Sequence, residues 1–214
     1  MNRFHKRLFA SHRICGRVEG LLRTFASDRT GASAVELALL WPFMLLIYIG
    51  LFEVNEAFNQ DRKISRTASS IADLVAQTQT ISLAELVAVT DAGDALMAPY
   101  PTTGRIGLMI ASVSIDANDN ATTDWSYSSG TGAAWTAGDP PGETLPDEIV
   151  QANTSFIVAK AEYSFAPSFP DLWSNPLFSE FGAQDSILGQ SITLSDTVYL
   201  RPRLVSQIAC SDCP

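Results

Sequence analysis

Four groupings of residues have the types and spacings that chemistry uses. Cys210-Ser211-Asp212-Cys213 has the Cys-x-x-Cys spacing of redox thiols and of half a zinc site. Thioredoxin-like catalysis wants the first cysteine at the start of a helix that follows a strand, and zinc wants four ligands. Only Pro214 follows this pair in the sequence and no histidine accompanies it. A short disulfide is therefore the expected use of Cys210 and Cys213. Asp116-x-Asn118-x-Asn120 mimics the first three ligands of a calcium loop, but Ala121 stands where the sharp turn needs glycine and Tyr127 where a bidentate glutamate belongs. It reads as a hairpin turn. Asp91-Ala92-Gly93-Asp94 offers two carboxylates without the second copy that an aspartic protease needs. The fourth grouping is Gly31-Ala32-Ser33-Ala34-Val35-Glu36, which sets one carboxylate just inside the most apolar stretch of the chain.

Absences narrow the chemistry further. Both histidines, His5 and His12, precede Gly31, so nothing beyond it can build a Ser-His-Asp or Cys-His site, an HExxH zinc site or a facial iron triad. Lys63 and Lys160 are the only lysines there, neither follows a Ser-x-x-Lys pattern, and no glycine-rich phosphate loop occurs. The expectation is a protein that is not an enzyme, with no cofactor, no metal and no small-molecule substrate.

The elements that position these residues begin with a charge asymmetry. The 214 residues carry a net charge of −9, but residues 1–31 carry +5 and the remainder −14. A basic segment beside an acidic remainder argues against a nucleic-acid partner and for a leader or anchor. Ala32 to Phe52, ASAVELALLWPFMLLIYIGLF, follows it with Glu36 as the one charge in 21 residues. A bilayer core takes roughly 20 such residues as helix, whereas the apolar part of a cleaved secretory signal is about 7–15. A membrane span over 32–53 is expected, with lipid as its partner. Arg3, Lys6, Arg7, Arg13, Arg17, Arg23 and Arg29 precede it and Glu53 and Glu56 follow it, so the bias of basic residues places residues 1–31 in the cytoplasm and residues 54–214 outside. Pro42 within the span removes a backbone hydrogen bond and kinks or loosens the helix there. Simple tolerance and a stem that stretches on leaving lipid are both open readings.

Beyond the span, Ile64, Ala68, Ile71, Val75 and Thr78 recur at helical spacing, which predicts one helix continuing from about Ala32 to about Thr78. Ser82-Leu83-Ala84-Glu85 has the form of a capping box and opens a second helix over 82–98, with Leu83, Leu86, Val87, Thr90, Leu96 and Met97 inward. Strands rich in Val, Ile, Thr and aromatics are predicted over about 105–116, 122–128, 155–165 and 191–204, the first two joined by a turn at Ala117–Asn120. Gly130–Glu148 and Ala166–Gly189 read as loops anchored by Trp135, Trp173 and Phe178. This is an α+β layout in which a long N-terminal helix, transmembrane and then amphipathic, packs on a small antiparallel sheet.

The hexapeptide from Gly31 to Glu36, at the junction of basic leader and apolar helix, resembles the processing site of type IV prepilins, in particular the Flp/Tad branch. The longer run Ala34-Val35-Glu36-Leu37-Ala38-Leu39-Leu40-Trp41-Pro42 is similar to the signature of TadE-like pseudopilins, with Leu37 where an aromatic is usual. The resemblance is specific over about Thr30–Phe58 and architectural beyond. It implies a pilin-like fold, cleavage by a prepilin peptidase after Gly31, Ala32 as the new N-terminus and Glu36 as its fifth residue. It also implies a bacterial inner-membrane location with a periplasmic domain, and partnership with other pilins and pilus assembly proteins. Independently of it, a carboxylate in an apolar span is costly, by roughly 2.5–3.5 kcal/mol at the bilayer centre and less near the edge, and needs a partner. The amine created by the cut, or that of a neighbouring subunit, would serve; a Glu36 that simply reaches the cytoplasmic headgroups is the other open reading. An uncleaved single-pass anchor, with the two long loops as its contact surface, is the alternative.

Overall fold

The computed structural model describes residues 30–170 and 190–213. Trp173, Phe178, Cys15 and the basic leader lie outside the described residues. The chain divides into two compact units, Met1–Leu51 and Phe52–Pro214. Helix α1, Thr30–Ala76, runs through the division.

In the first unit α1 is apolar and uncovered, with Val35 70% and Tyr48 71% exposed. It is the one helix among the described residues long and apolar enough to cross a membrane. Leu, Ala and Met supply its helical preference. Pro42 lies inside it and denies the Ala38 carbonyl its usual donor, yet the helix continues on both sides.

In the second unit the remainder of α1 turns one face inward. Glu53, Gln60, Ile64, Thr67, Ala68, Ile71, Ala72, Val75 and Ala76 are buried, while Asp61, Arg62 and Arg66 are exposed. This is the three-four spacing of an amphipathic helix. The helix ends at Ala76, and Thr78 closes it by donating its hydroxyl to the Val75 carbonyl at 2.8 Å. After β1, Thr80–Ile81, comes α2, Leu83–Leu96. Both halves of the expected capping box are present, Ser82 with the Glu85 amide and the Glu85 carboxylate with the Ser82 amide.

The inward face of α2 differs from the one expected. Leu86, Thr90, Gly93 and Met97 are buried, but Val87 is 39% and Leu96 47% exposed. Gly93 sets this rotation. A β-carbon there would come within 2.8 Å of Leu108 Cδ1 and 3.1 Å of Ile71 Cγ2, so the bare backbone is what lets α2 approach both α1 and the sheet.

The sheet comprises β2 (Ile106–Ile115), β3 (Ala121–Gly130), β4 (Thr154–Phe165) and β5 (Ile192–Leu200), ordered β3-β2-β4-β5 with every neighbour antiparallel. Its first face, with Ile106, Leu108, Ile110, Trp125, Ile157, Ala159, Ala161 and Tyr163, packs with Ile64, Ile71, Val75 and Leu86 in one core. The second face is also buried, for Met109, Ala111, Val113, Phe156 and Val158 are at most 3% exposed. Backbone bonds between Thr123 and the Gly138–Asp139 turn fold residues 131–153 back onto the sheet. A strand covered on both faces reads as a continuous apolar run, as Ile106-Gly-Leu-Met-Ile-Ala does.

β5 stops at Leu200 rather than at Leu204. Pro202 has no amide for the ladder, and the Arg203 amide donates instead to the Ala76 carbonyl at 2.9 Å. Residues 201–213 then return to the helices and form β6, Ala209–Cys210, parallel to β1.

Candidate functional site

At the start of α1, Gly31, Ser33 and Glu36 are exposed. Among the described residues a β-carbon at Gly31 would meet nothing within 4 Å, so none of them requires glycine there. Glu36 makes no hydrogen bond or ion pair among the described residues.

Further along, the first turns of α1 in the folded unit carry a polar stripe. Glu53 is 1% exposed, and its two oxygens accept the backbone amides of Ser168 at 3.1 Å and Phe169 at 2.9 Å. Nearly three turns on, Lys63 donates to the carbonyls of Leu96 and Ala98 and stands 5.6 Å from the Tyr100 ring centre. Burial, and then the hydrogen bond to Glu56, raise the Tyr100 pKa above the usual phenol range. The Tyr163 hydroxyl donates to the Pro101 carbonyl at 3.0 Å. Two loops, 96–101 and 166–170, are thus gripped by the same helix through side chains spaced for one face. Glu53 was legible in the sequence only as an acid flanking the span. Its pairing with amides more than 110 residues away has no local signal.

Cys210 and Cys213 are joined in a disulfide. The Asp212 carboxylate lies beside them, but bonded sulfurs offer no thiolate to a metal. What the trio does is hold a segment in place. Asp212 accepts the Leu83 amide at 3.1 Å, adding to the cap of α2, and the Trp125 indole donates to the Ile208 carbonyl at 2.8 Å. Ser155 donates to the Ser206 carbonyl, and Arg203 pairs with Asp73.

The turn residues expected at Asp116–Asn120 form the β2–β3 hairpin connection. Asp116 accepts the amides of Asn118 and Asn120 and the Asn120 side chain. These bonds, the Asn120 side chain first, hold its carboxyl below the usual range. Its oxygens are therefore already engaged. Asp91 and Asp94 lie one turn apart on α2. Burial, and then the Asp91 charge, push the Asp94 carboxyl up, against a hydrogen bond from Thr102.

The second face of the sheet has a cleft of about 210 Å³ lined by Met109, Trp135, Glu143, Lys160 and Glu162. Lys160 sits between Glu143 and Glu162, and these two carboxylates raise its pKa. Thr197 also donates to Glu143. The charges in the cleft satisfy one another, so the arrangement braces the loop 131–153 against β4.

In the cleft of Met109, Trp135, Glu143, Lys160 and Glu162 the charged groups are thus engaged with one another. In the folded unit the buried oxygens of Gln60, Thr67 and Thr123 lack a hydrogen-bond partner among the described residues, and on the apolar helix the exposed surface and Glu36 are uncovered. The fold and these features define a class, an α+β protein on a long apolar N-terminal helix. No protein-family model matches the chain, nor does any curated protein or any solved structure.

Proposed function

We propose that the chain is a TadE-like pseudopilin: a minor pilin or assembly component of a Flp/Tad-type pilus, inserted with residues 1–31 in the cytoplasm and cleaved after Gly31 by a prepilin peptidase. The observation that carries this reading is the coincidence, at one junction, of a +5 leader, Gly31-Ala32-Ser33-Ala34-Val35-Glu36 and a span-length apolar helix. Two structural features support it. Glycine near the start of a helix costs backbone entropy, up to ~0.5–1 kcal/mol against alanine in a helix interior, and no described residue requires its small size at position 31. Recognition by a peptidase supplies the reason that packing does not. Glu36 is a carboxylate without a partner among the described residues, and the α-amino group of Ala32, or that of another subunit, supplies one when stems bundle.

N-terminal sequencing of protein extracted from membranes tests the cut. The expected first residue is Ala32, and Gly31→Ala is expected to run as the longer, unprocessed form on a gel. Any other N-terminus, or unchanged migration of Gly31→Ala, overturns processing at this site.

Leu37, in place of the aromatic usual in the family, favours a second reading, an uncleaved single-pass anchor whose outer domain binds an envelope or pilus partner. Glu36→Ala separates the two. Loss of pili with normal insertion supports stem assembly, and intact pili support the anchor.

A further inference from the structure

We infer that Phe52 and Phe169 form an interfacial foot, by which the folded unit seats on the bilayer surface beside the exit of α1. The inference rests on the reading that α1 spans the bilayer. Phe52 is bonded directly to Leu51, the last residue of the apolar unit, so whatever Phe52 touches lies within a side chain's length of that exit. It touches Phe169. The two rings meet edge to face with centroids 6.5 Å apart, and they are 44% and 46% exposed.

Three features of residues 166–170 fit a lipid surface. Phenylalanine is among the apolar residues that interfacial segments bury at the boundary of headgroups and acyl chains. Ala166-Pro167-Ser168-Phe169-Pro170 contains no charge, in a chain that carries −14 beyond Gly31, so this stretch can approach lipid without the repulsion that the rest would meet from anionic headgroups. The loop is also held in place. The buried Phe165 fixes its start, and Glu53 accepts the amides of both Ser168 and Phe169. That pairing turns inward the acid nearest the exit and keeps it from facing the headgroups. The partner is therefore the bilayer itself.

Depth measurement tests this on the full chain in phosphatidylcholine–phosphatidylglycerol vesicles. Cys15→Ser leaves the disulfide as the only other sulfur pair, and a nitroxide is placed in turn at Phe169→Cys, Leu45→Cys and Ala137→Cys. Phe169 and Ala137 are surface positions, so labelling leaves the core intact. The expected result is a ratio of oxygen to water-soluble nickel-chelate accessibility at 169 several-fold above that at 137 and below that at 45. A label at 169 as open to the chelate as 137, with 45 buried in hydrocarbon, overturns the foot and leaves the span standing. Dipolar broadening between 169 labels that disappears on dilution with unlabelled chain overturns it in favour of a second copy as occupant. Chelate access at 45 overturns the span and the foot together.

Discussion

Glu53→Gln isolates the hydrogen bonds that hold residues 166–170. The carboxylate is 1% exposed and has an oxygen for each of two amides, at 2.9 and 3.1 Å. A glutamine of the same shape has one oxygen and one NH2 group, so one backbone donor loses its acceptor. An unsatisfied donor of this kind costs about 1–3 kcal/mol. At 1.4 kcal/mol per factor of ten, the loop should open roughly 5–150-fold more often. Hydrogen exchange on the reconstituted full-length protein reads this directly. The Ser168 and Phe169 amides should lose protection by that factor, while Ile110 and Ala159, in the central strands, keep theirs. Unchanged exchange at 168 and 169 would refute the reasoning, because it would mean that the loop holds itself. An equal loss throughout the sheet would refute it too, since Glu53 would then support the whole core rather than one loop.

Gly93→Val should lower stability by about 1–3 kcal/mol through overpacking, because its β-carbon would already lie 2.8 Å from Leu108 Cδ1. An unchanged urea midpoint argues against the close approach of α2. Trp125→Phe should cost about 1–3 kcal/mol for the buried Ile208 carbonyl it leaves unpaired, and limited proteolysis should then cut within residues 203–209 first. A cleavage pattern like that of the unaltered protein counts against the indole as the clasp. Lys160 has its pKa raised by Glu143 and Glu162, so its ion pairs contribute stability fully present below the ordinary lysine value and lost as pH rises through the higher folded value. Lys160→Met should remove that alkaline loss, which denaturation followed across roughly pH 9–12 will show; a loss that persists in Lys160→Met assigns it to another group.

The parts of the fold readable from sequence were those with a local period. Ile64, Ala68, Ile71 and Val75 repeat every three or four residues, and the structure buries all four. The capping box at Ser82 is likewise a four-residue signal. The inward face of α2 was not readable, because hydrophobicity ranks Val87 and Leu96 above Gly93, whereas packing ranks the residue that permits approach. The β1–β6 pair is two residues in each strand, too short for any alternation, and is held by contacts from far along the chain. At the candidate site, Gly31 and Glu36 were visible because an apolar background makes a lone carboxylate conspicuous. Glu53 was invisible, since one acid among several after the span gives no hint that its partners are amides at 168 and 169.

The return of residues 203–213 to the helices has a consequence for the order of events during synthesis. Leu83 finds Asp212 across 129 positions of sequence, and Ala76 finds Arg203 across nearly as many. At elongation rates of roughly 5–20 residues per second, about 6–26 seconds separate the emergence of such partners. Throughout that interval the carbonyl end of α1, the strand β1 and the first amides of α2 exist without the segment that completes them. The folded unit cannot close progressively behind the ribosome; it must wait until residues 203–213 have been made. A chain arrested before residue 203 would therefore display the turn between α1 and α2 permanently.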